Sequence, residues 1–335
     1  MDSFVHTRFN AEDRSYLSSL KKEIHILSVS AGFAGSVLAE IDIIVSELAT
    51  NLTKHAINGE ILFRILGQNQ PTGIELISID GGPGFENAEK IFSDGYSTMN
   101  SLGQGLGAIK RLSDFVSVYS LPGWGTIVLC RIYLSRQNHL HTKNIPQICS
   151  IIVPKPGEIF CGDGLYIKQN GDEWAIFAGD GLGHGAEAHY AVSLAIEYFK
   201  KTNPDNLTQF IRGMDQALKK TRGLVGTIVT LNCEEKILKL LGVGNISSKM
   251  FGSNSKTHLS YNGIIGGNIP NTMSEQTISV ESNQLLIVCS DGIKTNYDNQ
   301  RYPRILKYDL SILAAAIYKD YSRKTDDTMI VIIRI

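Results

Sequence analysis

The chain has 335 residues, of which 43% are hydrophobic and 19% charged, and its 32 basic and 33 acidic residues leave a formal net charge of −1. This balance is typical of a globular protein, and it argues against general attraction to nucleic acid or to membrane surfaces. Because domains usually contain roughly 100–200 residues, the length predicts two of them. The five cysteines form no CxxC pair, so neither a zinc site nor a disulfide framework is expected.

The ends and apolar runs of the chain bear on its location. The N-terminal stretch MDSFVHTRFN lacks the basic-then-apolar order of a signal peptide. No apolar run approaches the ~20 residues that a membrane span requires. We therefore expect a cytoplasmic protein whose thiols are reduced and buried.

The first half of the chain predicts an α/β unit that ends near residue 134. Residues 41–57 carry apolar side chains at helical spacing, and the runs 59–68 and 72–82 alternate as two strands do. Residues 101–116 resemble a glycine loop that leads into a helix, and residues 116–134 resemble two strands joined by a Pro-Gly turn. The polar stretch 135–147 then predicts a linker.

Three polar patterns in this half indicate a nucleotide site without a P-loop. Glu47, Asn51 and His55 lie at i, i+4 and i+8 on one side of the predicted helix. Asp80 ends a strand and is followed by Gly-Gly-Pro-Gly, which is typical of a tight turn. The run LGQGLG at 102–107 opens a helix, where glycines permit close backbone approach and the helix N-terminus favours phosphate.

With these motifs, residues 1–134 resemble the GHKL ATPase superfamily, and most of all its small serine kinases of the RsbW/RsbT type. The resemblance implies a Bergerat-type α/β sandwich that binds ATP and Mg²⁺. Glu47 would act as the general base, and Asn51 would bind Mg²⁺ at the ATP phosphates. The other residues implied for ATP binding are Asp80 and Thr126 near adenine, Gly82 and Gly84 in the adenine pocket, and Gly103, Gly105 and Gly107 in the lid.

Some of these assignments have a simpler alternative. Thr126 could be an ordinary strand threonine, and His55 is more often a packing residue than a catalyst. The lid also departs from kinases of the RsbW/RsbT type, because Met99, Asn100 and Ser101 stand where those kinases often have more glycine.

The second half changes pattern to many short strand-like runs separated by a few helical stretches, which predicts sheets packed against helices. Acidic residues recur where apolar strands meet turns, at Asp163, Asp180, Asp291 and the pair Asp326–Asp327. An isolated Asp-Gly usually marks only a turn. Several converging carboxylates, however, require a neutralising cation, and Mg²⁺ and Mn²⁺ prefer such oxygen ligands.

The ordered motifs GDGLGHGAEAHYAV, LGVGN, VCSDGI and TDDTMIVI make residues 148–335 resemble the PPM-type metal-dependent phosphatases of the SpoIIE/RsbX class. The resemblance implies an αββα sandwich that hydrolyses phosphoserine or phosphothreonine with two Mn²⁺ or Mg²⁺ ions. Asp180 would bridge both ions, helped by the Gly181 carbonyl. Asp163 and Asp291 would each hold one ion, and Asp326 would close the site, with Asp327 as the alternative.

Three features of this half stay open in the sequence. His184 could donate a proton to the leaving serine or could only orient its loop. Asn245 could line the site or shape a turn. The motif CGDGLY lacks the second acid that many relatives carry, which leaves the ligand set around Asp163 undecided.

Together the halves predict a bifunctional regulator that phosphorylates and dephosphorylates a partner, in the resembling systems a STAS-domain antagonist or a stressosome-like protein. One alternative is a phosphatase whose first half only senses nucleotide or binds a partner. Another is a non-enzymatic binder of a sigma factor. Neither nucleic acid nor membrane is an expected partner.

Overall fold

The computed structural model describes residues 4–11, 14–86, 102–135, 146–252, 256–298 and 301–335. The chain forms two compact units. The first comprises residues 1–139 together with residues 299–319, and the second comprises residues 140–298 and 320–335. The sequence predicted that the first domain ends at residue 134 and that the second begins at residue 148. These two boundaries stay a prediction.

The first unit is a five-stranded antiparallel sheet with helices on one face. Its strands lie in the order β1-β2-β3-β5-β4. Their bounds are β1 Thr7–Asn10, β2 Glu60–Leu66, β3 Gly73–Asp80, β4 Phe115–Leu121 and β5 Gly125–Tyr133. The helices are α1 Leu17–Ser30, α2 Gly35–His55 and α3 Leu102–Leu112.

The apolar stripe of α2 explains how the helices attach to this sheet. Ile41, Val45, Leu48 and Leu52 are buried in one cluster with alternate residues of the strands. Each fully buried aliphatic side chain of this kind contributes roughly 1.5–3 kcal/mol. Because successive side chains of a strand point to opposite faces, the residues between these buried ones point to the second face of the sheet.

The second face of the sheet carries a buried ion network. Glu75 is fully buried, and its carboxylate lies 2.7 Å from the Nε atoms of both Arg64 and Arg131. Burial alone would raise the pKa of Glu75, but the charges of Arg64 and Arg131 hold it well below its usual range. The other side of the Arg131 guanidinium donates two hydrogen bonds to Asp309, at 2.8 and 3.0 Å.

Asp309 belongs to residues 299–319, which come from late in the sequence and pack in the first unit. Helix α6, Leu310–Tyr321, begins one residue later. Two more hydrogen bonds join this segment to the sheet, from Tyr119 to the carbonyl of Pro303 at 3.1 Å and from Lys319 to the carbonyl of Trp124 at 2.8 Å. The first unit therefore includes a segment that the sequence pattern placed in the second half.

The second unit contains two five-stranded sheets with the orders β13-β10-β9-β8-β7 and β12-β11-β14-β15-β6. Helices α4, Ala186–Lys201, and α5, Leu207–Ala217, bury their apolar faces against the first of these sheets. The strands are β6 Gln147–Val153, β7 Asp163–Asn170, β8 Glu173–Gly181, β9 Leu224–Asn232, β10 Ile237–Val243, β11 Ser247–Phe251, β12 Lys256–His258, β13 Gln276–Ser279, β14 Leu285–Cys289 and β15 Thr328–Arg334.

Strand register explains why the acidic residues of the second unit meet. Asp163 begins β7 and is the direct partner of Asp180, near the end of β8. In the other sheet, β14 ends at Cys289 opposite Ile330 of β15. Asp291 follows that end of β14 and Asp326 precedes the start of β15, so antiparallel pairing brings them to the same edge.

Among the described residues, no helix combines the length and apolar content that crossing a bilayer requires.

Candidate functional site

The first unit brings Glu47, Asn51 and Gly105 together. A Cβ atom added at Gly105 would lie 2.7 Å from Oε2 of Glu47 and 3.5 Å from Oδ1 of Asn51. Glycine at this position of α3 thus lets the helix approach the two polar residues of α2. The side chain of His55 lies outside the described residues.

The glycines expected to form a lid lie within α3. The sequence predicted a loop that leads into a helix, but the helix already begins at Leu102 and includes Gly103, Gly105 and Gly107. Leu106 and Ile109 are buried at helical spacing, and this packing extends the helix through the glycines. Met99, Asn100 and Ser101 lie outside the described residues.

Asp80 and its glycine turn form a second polar group in the first unit. The Asp80 carboxylate accepts a hydrogen bond from the Gly82 backbone at 2.7 Å. Gly84 has a φ of +61°, and a Cβ atom there would lie 2.0 Å from the carbonyl oxygen of Leu121, so the turn requires glycine. Thr126 pairs with Asp80 across the sheet.

Ser120 supports this turn and was not found from the sequence. Its hydroxyl lies 3.0 Å from the hydroxyl of Thr126 and accepts a hydrogen bond from the Phe85 backbone at 3.0 Å. A serine near the end of a strand gives no sequence signal for this role, because the bond to Phe85 spans 35 positions along the chain.

In the second unit, Asp163 is the most buried of the predicted metal ligands. One carboxylate oxygen accepts a hydrogen bond from the Ser290 hydroxyl at 2.8 Å. The other oxygen is buried without a hydrogen-bond partner in the described part of the chain. Burial and the nearby charge of Asp180 raise the pKa of Asp163 well above its usual range. An orphaned buried carboxylate oxygen of this kind calls for a cation or a proton.

Asp180 faces a pocket of about 330 Å³ between the sheet ends. Burial raises the pKa of Asp180 to about 8, with further contributions from the charges of Asp291, Asp326 and Asp327. The predicted site residues that line the pocket are Asp180, Gly181, Asn245, Asp291 and Asp326.

The two neighbouring acids at the start of β15 have different roles in the structure. Asp326 lines the pocket, and its carboxylate accepts a hydrogen bond from the Asp327 backbone at 2.9 Å. Asp327 is buried and accepts hydrogen bonds from the backbone N–H groups of Lys155 at 2.8 Å and Gly162 at 3.0 Å. The carboxylate of Asp327 therefore holds loops together.

The oxygen atoms of these acidic side chains are of the chemical type that binds a hard divalent cation. The described residues contain no group of three or more His, Cys, Asp or Glu side chains already close enough to hold one ion. Asp180, Asp291 and Asp326 nevertheless face one pocket, and Asp163 leaves a buried oxygen unpaired. Carboxylate and carbonyl oxygens completed by water are the ligands that Mg²⁺ and Mn²⁺ prefer.

His184 and Asn245 each bond to an acidic side chain. His184 Nδ1 lies 2.7 Å from a carboxylate oxygen of Glu158, a residue that no sequence pattern indicated. His184 is not one of the residues that line the pocket. Asn245 donates a hydrogen bond to Asp291 at 2.9 Å, and this bond orients the Asp291 carboxylate at the pocket wall.

Residues 170–335 match the family model described as Stage II sporulation protein E (SpoIIE). The phosphoserine phosphatase RsbX of Bacillus subtilis (strain 168) is 24% identical over 141 residues, which are 42% of this chain and 70% of RsbX. A crystal structure of RsbX in complex with magnesium superposes with a TM-score of 0.52 at 20% identity, covering 58% of this chain and 97% of that one. This structural likeness shows a shared fold.

The chain is also similar to a protein kinase and to an anti-sigma factor. The serine/threonine-protein kinase RsbT of Bacillus subtilis (strain 168) is 38% identical over 95 residues, which are 28% of this chain and 71% of RsbT. The anti-sigma F factor of Caldanaerobacter subterraneus subsp. tengcongensis is 29% identical over 137 residues, which are 38% of this chain and 96% of that protein. Over those 95 residues the chain belongs to the family of the kinase RsbT, and its C-terminal part carries a phosphatase domain of the SpoIIE type.

Proposed function

We propose that this chain sets the phosphorylation level of a partner protein by two opposed activities. The second unit would hydrolyse phosphoserine or phosphothreonine, and the first would transfer phosphate from ATP to a serine or threonine. The observation that carries the phosphatase half is the pocket where Asp180, Asp291 and Asp326 converge beside the buried Asp163.

In the phosphatase site, Asp163, Asp180, Asp291, Asp326 and the carbonyl of Gly181 would hold two Mg²⁺ or Mn²⁺ ions. When bound, such ions supply Lewis-acid activation of water and of the phosphoryl oxygens. Asn245 keeps the Asp291 carboxylate facing the pocket through its hydrogen bond. His184, oriented by Glu158, would donate a proton to the leaving serine oxygen if the substrate brings that oxygen within reach.

In the kinase half, Glu47 would accept the proton of the attacking hydroxyl and Asn51 would bind Mg²⁺ at the phosphates. Asp80, Gly82, Gly84 and Thr126 would receive adenine, and the helix that carries Gly103, Gly105 and Gly107 would cover the phosphates. The closeness of Gly105 to Glu47 and Asn51 supports one shared site. The similarity to RsbT supports kinase chemistry in this half.

The partner would be a STAS-domain protein of a partner-switching or stressosome-like system, because the relatives include a serine/threonine-protein kinase, a phosphoserine phosphatase and an anti-sigma factor. The similarity to an anti-sigma factor also favours a second candidate function. In that case the first half would bind nucleotide or a sigma factor, and only the phosphatase would be catalytic.

A small phosphomonoester tests the phosphatase half without knowledge of the partner. Wild-type protein should hydrolyse p-nitrophenyl phosphate with Mn²⁺ or Mg²⁺ and lose this activity in EDTA. Asp180→Asn should lower kcat by at least about a hundredfold, because it removes a carboxylate from the metal site. Glu47→Ala is the matched control and should keep the full rate; hydrolysis in EDTA, or by Asp180→Asn at the wild-type rate, would refute the proposed site.

A further inference from the structure

The loop between β6 and β7 presents two exposed apolar residues beside the acidic pocket. Ile159 is 88% exposed and Phe160 is 48% exposed. The preceding residue, Glu158, bonds to His184 at 2.7 Å, and the carbonyl of Gly162 accepts a hydrogen bond from the Gly181 backbone at 2.9 Å. Both ends of this loop are therefore tied to the glycine segment 181–185, which contributes to the pocket.

The start of α4 adds to this apolar surface. The ring of Phe160 lies 5.3 Å from the ring of His189, and the next residue, Tyr190, is 56% exposed. The described part of the second unit exposes four large apolar side chains, and three of them, Ile159, Phe160 and Tyr190, lie on this loop or on the adjacent turn of α4. Clustered exposed apolar residues beside a site commonly mark a binding surface.

We propose that Ile159 and Phe160 bind an apolar side chain of the phosphorylated protein substrate, next to its phosphoserine or phosphothreonine. This inference rests on the proposed phosphatase function. The pocket itself presents carboxylates and backbone groups, which suit cations and a phosphoryl group. Selection among phosphoproteins then depends on groups outside the pocket. The loop between β6 and β7 supplies an apolar surface for this purpose.

A substrate side chain fits this surface better than a second copy of the chain. Stable protein interfaces bury roughly 1,200–2,000 Å² in total, far more than two apolar side chains and a neighbouring tyrosine provide. One apolar residue beside the phosphorylated position needs only the contact that Ile159 and Phe160 offer. Because the loop is tied through Gly162 to Gly181, which lines the pocket, a bound phosphate would hold the flanking residue near Ile159 and Phe160.

Two phosphoserine peptides of equal length test this inference. They differ only in carrying leucine or serine at the positions that flank the phosphoserine. Wild-type protein should show a kcat/KM about tenfold higher for the leucine peptide, which is the scale of discrimination that a small apolar contact provides. Ile159→Ser should reduce that ratio to about twofold, and Ile159→Ser with Phe160→Ser should abolish it.

Two readouts separate substrate contact from damage to the fold. Hydrolysis of p-nitrophenyl phosphate should stay within about twofold of wild type in both variants, because the pocket is intact. Leu259→Ser is the matched control: Leu259 is 79% exposed and follows β12, at the opposite edge of the sheet from β6, and its loss should leave the peptide preference unchanged.

Several results would overturn the inference. One is equal rates of wild type on both peptides, and another is a preference that survives in the double variant. A wild-type dimer that the double variant converts to a monomer, with peptide selectivity unchanged, would assign the surface to a second copy instead. If wild type fails to hydrolyse p-nitrophenyl phosphate, the phosphatase proposal fails and this inference fails with it.

Discussion

Asp326 and Asp327 are neighbours in the chain, yet they face different surroundings. Asp326 lines the acidic pocket, whereas Asp327 accepts two backbone hydrogen bonds from Lys155 and Gly162. The resemblance favoured Asp326 and kept Asp327 as the alternative, and the turn before β15 directs the Asp326 carboxylate into the pocket and the Asp327 carboxylate toward the backbone of Lys155 and Gly162.

This difference predicts opposite effects for two matched substitutions. Asp326→Asn should abolish most cation-dependent phosphatase activity and leave the free energy of unfolding nearly unchanged. Asp327→Asn should lower the free energy of unfolding by about 1–3 kcal/mol, because one of its backbone partners loses a charged acceptor. Urea denaturation measures the free energy of unfolding, and p-nitrophenyl phosphate turnover measures the phosphatase activity. A stable but inactive Asp327→Asn variant, together with a destabilised but active Asp326→Asn variant, would exchange the roles of the two residues.

Among the elements of the first unit, α3 lies close to Glu47 and Asn51 of α2 at Gly105, where no side chain separates the two helices. A Cβ atom at Gly105 would lie 2.7 Å from Oε2 of Glu47, which is too close, and it would be in ordinary contact with Asn51 at 3.5 Å. Gly107 is different, since the nearest atom to its added Cβ is the end of the flexible Arg111 side chain at 3.4 Å.

Gly105→Ala should therefore displace Glu47 or α3 and lower ATP-dependent phosphorylation by at least about tenfold, as expected for a misplaced catalytic group. Gly107→Ala should be tolerated and should stabilise the helix by up to about 1 kcal/mol. Initial rates of phosphate transfer and thermal melting distinguish the two. Equal kinase rates in Gly105→Ala and wild type would show that this contact is not part of a kinase site.

Hydrophobic periodicity and the acidic residues at strand ends made much of the fold and of the candidate site predictable from the sequence. The apolar stripe of α2 gave the helix, alternation gave β2 and β3, and acids at strand ends indicated the site of the second unit. Ser120, Ser290 and Glu158 could not be found in this way, because each makes a hydrogen bond to a residue that is distant in sequence. The extent of α3 was missed because tertiary packing of Leu106 and Ile109 outweighs the low helix propensity of glycine.

At the scale of the whole molecule, the first unit is not a continuous piece of sequence. Residues 299–319 belong to it, and Asp309 binds the Arg131 side chain that neutralises buried Glu75. In the sequence, Asp309 resembles an ordinary residue before a helix, and its side chain does accept a hydrogen bond from the Ser311 backbone at 2.9 Å. Its bond to Arg131 spans 178 positions and leaves no local pattern.

A fragment of residues 1–139 should therefore fold poorly. Without residues 299–319, Arg131 loses Asp309, and the sheet loses the contacts of Tyr119 and Trp124. We expect low soluble yield and no cooperative thermal transition by circular dichroism. A monomeric fragment that melts as cooperatively as the full chain would show that residues 299–319 are dispensable for the first unit.

Two opposed activities in one chain would consume ATP without net effect unless they are controlled or act on different targets. Such control is needed only if one chain has both the kinase and the phosphatase activity.

The most direct test incubates a STAS-domain protein with ATP labelled at the γ-phosphate and with wild type, Glu47→Ala or Asp180→Asn. We expect Asp180→Asn to accumulate labelled partner, wild type to hold a lower level, and Glu47→Ala never to label the partner. If no variant labels the partner while wild type removes phosphate from prephosphorylated partner in a cation-dependent reaction, the chain is a phosphatase with a binding or sensing first unit, and the bifunctional account is contradicted.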